Sequence, residues 1–79
     1  MTNLGKYNQV LMDVFNLSAD EIREDLNALD VEHWDSMGQM RLASALEEAF
    51  EIFLDPEDMI QLISYENGLA VLRKHGIDC

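Results

Sequence analysis

The stretch His33-Trp34-Asp35-Ser36-Met37-Gly38-Gln39-Met40 passes from an acidic loop into a helix, and the residues after it decide the fold. Asp35 and Ser36 are both residue types that cap helices, because their side-chain oxygens accept the first unpaired backbone N–H groups. Ser36 and Gln39 also have capping-box spacing. From Ser36 to Phe50 apolar residues return every three or four positions, the period of one helix face. Projected at about 100° per residue, Leu42, Ala43, Leu46, Ala49 and Phe50 share one side, which must face a core. Met37, Met40, Arg41, Ser44, Glu47, Glu48 and Glu51 share the other, with Ser36 at its flank.

The same period appears on both sides of this helix. Leu4, Tyr7, Val10, Leu11, Val14 and Phe15 predict an amphipathic helix over residues 3–16. Asp55-Pro56-Glu57-Asp58 is a start signal, with an N-cap Asp, Pro at the first helical position and acids in the first turn. The short helix it opens is expected to end near Ile63. Ser64 predicts a last helix over residues 65–75, with Arg73, Lys74 and His75 on the negative end of its dipole and Gly76 just beyond. Gly68 inside it costs about 1 kcal/mol against Ala. Residues 17–35 form a connection of about 19 residues, longer than usual and therefore functional or partly helical. Within it Ser18 and Glu21 have capping-box spacing, and Ile22, Leu26, Leu29, Val31 and Trp34 are expected to pin it to the core. No stretch alternates as a strand does. The expected fold is all-α: a small four-helix bundle, three helices longer and one short, in one domain over residues 1–79.

Composition narrows the function. The 79 residues carry 5 Lys and Arg against 16 Asp and Glu, a net charge of −11. Such a surface is repelled by nucleic-acid phosphates and anionic lipid, so neither nucleic acid nor membrane is an expected partner; basic protein patches or metal cations are favoured. A hydrophobic fraction of 48% argues against disorder. A chain this small has little room for an enclosed active site.

No catalytic residue and no metal ligand is assigned. Nucleophilic catalysis needs a base beside the nucleophile, yet the histidines are His33 and His75, and Cys79 beyond the last helix is expected to fray. Zinc spacings are absent. The segment Asp55 to Glu66 has acids at both ends, as a calcium loop does, but Ile60 stands where that loop requires Gly. Asp30, Glu32 and Asp35 read as a solvated acidic loop or a weak divalent-ion site. A single cysteine makes no internal disulfide, and neither a signal-peptide pattern nor an apolar run of about 20 residues is present, which predicts cytoplasmic residence.

Two features carry a function. A Ser at a helix N-terminus directly after a long loop stands among unpaired N–H groups, an environment suited to a phosphate on its oxygen; ordinary capping is the alternative. Met37 and Met40, interleaved with Glu47, Glu48 and Glu51, make an adaptable docking stripe, apolar in the middle with charge for steering.

Together these residues resemble the acyl carrier protein family, including its peptidyl and aminoacyl carriers, over nearly the whole chain. The resemblance rests on the first amphipathic helix, the long acidic loop, Asp35-Ser36-Met37 opening the second helix, Leu42…Leu46-Glu47-Glu48…Phe50, and a short third helix before the fourth. The family's signature is Asp-Ser-Leu, so Met37 is a variant at the third place. The resemblance implies that Ser36 receives 4′-phosphopantetheine from coenzyme A through a separate, Mg-dependent phosphopantetheinyl transferase, with Asp35 helping to place the metal and the transferase. It further implies that the thiol of that arm holds acyl or aminoacyl groups as thioesters. The chain would then be a non-catalytic, monomeric phosphoprotein of fatty-acid, polyketide or other specialised biosynthesis. Its partners would be the transferase, an acyl- or aminoacyl-loading ligase and downstream synthases whose basic patches dock on Met37, Met40, Arg41, Glu47, Glu48 and Glu51. Gly38 and Arg41 depart from housekeeping fatty-acid carriers, which are typically acidic at those places. The run Asp35-Ser36-Met37-Gly38 looks closer to carriers of specialised pathways, including D-alanyl and peptide-synthesis carriers. An unmodified acidic helical interaction module is the reading from another class.

Overall fold

The computed structural model describes residues 2–79. Its helices are α1 (Asn3–Phe15), α2 (Ser36–Phe50), α3 (Pro56–Ile60) and α4 (Tyr65–Lys74), and no strand occurs among the described residues. This is the all-α arrangement of three longer helices and one short one that the periodicity predicts. Each start is set by a side chain satisfying an orphan N–H. Thr2 Oγ1 accepts from Gly5 N at 2.9 Å, Asp55 Oδ1 from Asp58 N at 2.9 Å, and Ser64 Oγ from Asn67 N at 3.1 Å. α1 ends one residue early because Asn16 turns left-handed, with φ +55°. α3 stops at Ile60 rather than near Ile63.

The buried apolar side chains form one cluster. Tyr7, Leu11 and Phe15 of α1 meet Leu42, Ala43, Leu46 and Phe50 of α2 and Leu69, Val71 and Leu72 of α4, with Leu54 and Leu62 closing the gaps between helices. The Tyr7 hydroxyl donates to the Tyr65 carbonyl at 2.8 Å, and a Cβ at Gly68 would overlap that hydroxyl. Gly68, a weakness by helix propensity, is therefore what allows α1 to approach α4.

The 17–35 connection is tied down rather than free. Trp34 stacks on Phe15 with ring centroids 4.6 Å apart and donates its indole N–H to the Leu62 carbonyl at 2.9 Å. Ala28 N donates to Ile63 O at 2.8 Å and Tyr65 N to Leu26 O at 2.9 Å, an isolated antiparallel bridge centred on Asn27 and Ser64. Single 3₁₀ turns occupy Ala19–Glu21 and Ala28–Asp30. Leu26, Val31 and Trp34 are buried and Ile22 half-buried, but Leu29 is 97% exposed, against the expectation that it pins the loop. It sits in the middle of a three-residue turn whose start is held by Asn27 Oδ1 accepting from Leu29 N at 2.9 Å, so the turn directs it outward.

A further expectation changes at the chain's end. Cys79 does not fray: it is half-buried and packs against the core with Ile77. Asn3 Nδ2 donates to the Asp78 carbonyl at 3.0 Å and Arg73 reaches the Cys79 carbonyl at 3.5 Å, which holds the segment down. Burial pushes the Cys79 thiol up from its ordinary pKa.

Asp58, read from the sequence as one first-turn acid among others, is fully buried. It completes the capping box with Asp55 and accepts from Lys74 Nζ at 2.7 Å and His75 Nε2 at 2.6 Å, so α3 is clasped to the end of α4. Burial alone would raise its carboxyl, but the hydrogen bonds from Lys74 and His75 outweigh burial and bring it down to about 2. A lowered carboxylate contributes stability that is present above its unfolded pKa and is lost as pH falls through its folded one. Stability should therefore decline as pH drops from about 4 towards 2. Asp58→Asn should lower stability at neutral pH by roughly 1.5–3 kcal/mol and flatten the acid slope. Asp20, Glu21 and Asp35 also lie low, so part of the slope should remain. Denaturant melts from pH 2 to 7 check this, and an unchanged acid slope in the variant would remove Asp58 as a cause.

Candidate functional site

The entry to α2 is held from two sides. Trp34, buried, anchors the loop one residue before the cap. His33 takes a left-handed φ of +72°, a conformation that disfavours most side chains. The turn brings its carbonyl onto Gly38, where a Cβ would overlap the oxygen and come within 3.0 Å of the Phe15 ring. Gly38 is thus required by the close approach of the loop to the first turn of the helix.

Asp35 is the cap: its Oδ1 accepts from Gly38 N at 2.9 Å. That hydrogen bond, aided by the Arg41 charge, holds the exposed Asp35 carboxyl below the usual carboxylate range. Ser36 is consequently the first helical residue and is exposed. Among the described residues its hydroxyl forms no hydrogen bond, and the capping box that Ser36 and Gln39 could form is not made. Gln39 Nε2 instead reaches the Met59 and Ile60 carbonyls at 3.4 and 3.5 Å, linking α3 to the start of α2. The chain has four serines. Ser18 Oγ donates to Glu21 Oε1 at 2.9 Å and Ser64 Oγ is occupied as a cap. Ser44 is exposed but lies about two turns inside α2, away from the positive end of the dipole. Ser36 alone combines an unengaged hydroxyl with a helix N-terminus.

The exposed stripe of α2 is present. Met37 is 71% and Met40 63% exposed, and with Arg41 and Ser44 they line a groove of about 330 Å³. Glu48 is exposed on the same face, and Glu51 follows as the left-handed C-cap with φ +54°. Glu47 differs from the other acids, because its Oε2 accepts from Leu54 N at 2.9 Å and so fixes the loop leaving α2. Ile60, whose carbonyl Gln39 reaches, and Ile63 beyond it are also exposed, at 72% and 48%. The sequence does not mark them: the five-residue helix that ends at Ile60 is too short for a period to separate its faces, and Ile63 lies in the connection after it.

Among the described residues no three His, Cys, Asp or Glu side chains converge to hold a metal ion. Asp30 is engaged with Asn27 Nδ2 at 3.0 Å, His33 stands 3.8 Å from Glu32, and His75 is committed to Asp58. A second cleft, of about 550 Å³, lies between the start of α1 and α4, lined in part by Leu4, Tyr65, Leu69, Arg73 and Cys79.

The chain is similar to an acyl carrier protein of Nitratidesulfovibrio vulgaris, with 25% identity over 68 residues that cover 86% of this chain and 90% of that protein. No family model matches the chain, and no solved structure matches it. The similarity and the helix order agree on an acyl-carrier-like bundle.

Proposed function

We propose that this chain is a non-catalytic carrier of acyl or aminoacyl groups, with Ser36 as the attachment point for 4′-phosphopantetheine. The observation that carries the reading is the division of labour at the start of α2. Asp35 satisfies the helix donor that a capping serine would take, which leaves the Ser36 hydroxyl exposed and unengaged. The site fits a phosphodiester, because the first N–H groups of α2 and the positive end of its dipole favour anionic oxygens at that position. When bound, the arm supplies a mobile thiol on which groups are held as thioesters. No described side chain hydrogen-bonds Ser36, so the base that takes its proton during loading belongs to the separate Mg-dependent transferase. Asp35, ionised and adjacent, is placed to help orient that metal and transferase. The acyl carrier protein of similar sequence supports the reading. In it residues 1–79 act as one cytoplasmic, monomeric domain, serving a fatty-acid, polyketide, aminoacyl or other specialised pathway.

Whole-protein mass after co-expression with a phosphopantetheinyl transferase tests this. One added phosphopantetheine on the peptide containing Ser36 is expected. Addition at another serine, or none with several transferases, would favour an unmodified interaction module.

The docking partners follow from the α2 face. Charges of one sign speed encounter with a basic patch, and salt screens that effect over about 10 Å at 0.1 M. Loading should slow as salt rises, and Glu48→Lys with Glu51→Lys should lower both the rate and its salt dependence. Glu47 is left unchanged because its replacement would also release the Leu54 N–H. Met37→Ala should weaken association with little change in salt response, since its contribution is apolar contact. Equal salt slopes for the charge-reversed and parent chains would place docking elsewhere.

A further inference from the structure

Among the described residues Arg41 is the one Lys or Arg side chain without an ion pair or hydrogen bond, although its charge acts on Asp35 at longer range. Of the five Lys and Arg residues, Lys6 donates to the Ala49 carbonyl at 3.2 Å and lies over the Phe50 ring, and Arg23 pairs with Asp25 at 2.9 Å. Arg73 reaches the Cys79 carbonyl, and Lys74 pairs with Asp58 at 2.7 Å. Arg41 makes no ion pair or hydrogen bond among the described residues, although the chain has 16 carboxylates. It is also the only Lys or Arg between Arg23 and Arg73. Arg41 instead lines the exposed groove on α2 together with Met37, Met40 and Ser44.

We propose that this groove receives a partner protein surface presenting an apolar side chain with a carboxylate beside it. The apolar group seats on Met37 and Met40, and the carboxylate pairs with Arg41. The proposal deepens the carrier reading and rests on it for the partner being one of the carrier's enzymes. Methionines adapt to an inserted side chain of irregular shape. The planar fork of Arg takes a carboxylate through two parallel hydrogen bonds, which a lysine does not match. Along α2, Arg41 lies about 7.5 Å beyond Ser36 and Glu48 about 10 Å beyond Arg41. A matching partner is therefore acidic near the modified serine and basic further along, whereas a uniformly basic patch meets repulsion at Arg41. This is selection by a mismatched charge, set beside an attractive one.

The test uses two designed monomeric helical peptides of equal length, each balanced to zero net charge by its far face. They share two leucines one turn apart and differ only in a Glu or a Lys beside them. Each is titrated into the isotope-labelled unmodified chain and followed by amide chemical shifts. The Glu peptide should perturb Met40, Arg41 and Ser44 and bind about fivefold more tightly than the Lys peptide, the scale of one exposed ion pair. Arg41→Glu should reverse the order and Arg41→Gln should erase it. Three results overturn the proposal: tighter binding of the Lys peptide, no response of the groove to either peptide at millimolar concentration, or exclusion of both by the arm once Ser36 is loaded. Loading is measured separately by mass. Failure of the peptide order thus leaves the carrier reading standing, and failure of loading is seen without the peptides.

Discussion

Ser36→Ala is expected to abolish loading by a phosphopantetheinyl transferase, while the chain keeps its helical circular dichroism and melts within about 0.5 kcal/mol of the parent. The two outcomes separate because Asp35, not Ser36, caps α2. Alanine at the first helical position loses no hydrogen bond, and its helix propensity is as good as serine's or better. Asp35→Ala should show the opposite balance, losing about 1 kcal/mol of stability with the cap while leaving the serine in place. Ser44→Ala, which removes the other exposed serine hydroxyl on α2, should load as the parent does. Intact mass and urea melts of the three variants check the set. Loading of Ser36→Ala at the parent rate would reject Ser36 as the site, and its unfolding would make the serine structural.

Gly68→Ala should destabilise the chain by roughly 2–5 kcal/mol, against the gain of about 1 kcal/mol that helix propensity predicts. The added Cβ would occupy the position of the Tyr7 hydroxyl, whose ring is fully buried and cannot swing away. Either α1 moves off α4 or Tyr7 breaks its 2.8 Å hydrogen bond to the Tyr65 carbonyl. Burial has already pushed the Tyr7 phenol above its ordinary range, so ionisation offers no relief near neutral pH. Tyr7→Phe with Gly68→Ala should recover part of the loss, because it removes the overlapping oxygen. Thermal melts of the single and double variants measure the coupling. A stabilised Gly68→Ala would mean that α1 and α4 do not meet at this glycine.

The sequence by itself determined the helices, and with them the inner and outer faces of α2. Caps and periods are local: Ser64, Asp55-Pro56 and the spacing of Leu42, Leu46 and Phe50 act within a few residues of chain. Ser36 was legible as a candidate for the same reason, since an Asp-Ser pair before an apolar period announces a helix start. Which of the two residues caps was not legible, because both are competent and the choice depends on how the loop enters the helix. Contacts between distant segments made the other decisions. Gly38 and Gly68 look like composition until His33 and Tyr7 are seen against them, and Asp58 looks like a solvated acid until Lys74 and His75 arrive from α4. Leu29 reads as an anchor, yet a turn fixed by Asn27 sends it into solvent. Arg41 has Met37, Gly38, Ser44 and Ala45 three and four residues away, so its own helix offers no partner, but whether a distant acid would reach it was left to the fold, and among the described residues none does. Tertiary structure decided these points because each depends on how the chain turns and which atoms it then brings together, from the tight approach of His33 to Gly38 to the meeting of Tyr7 with Gly68, and local periodicity carries no information about such meetings.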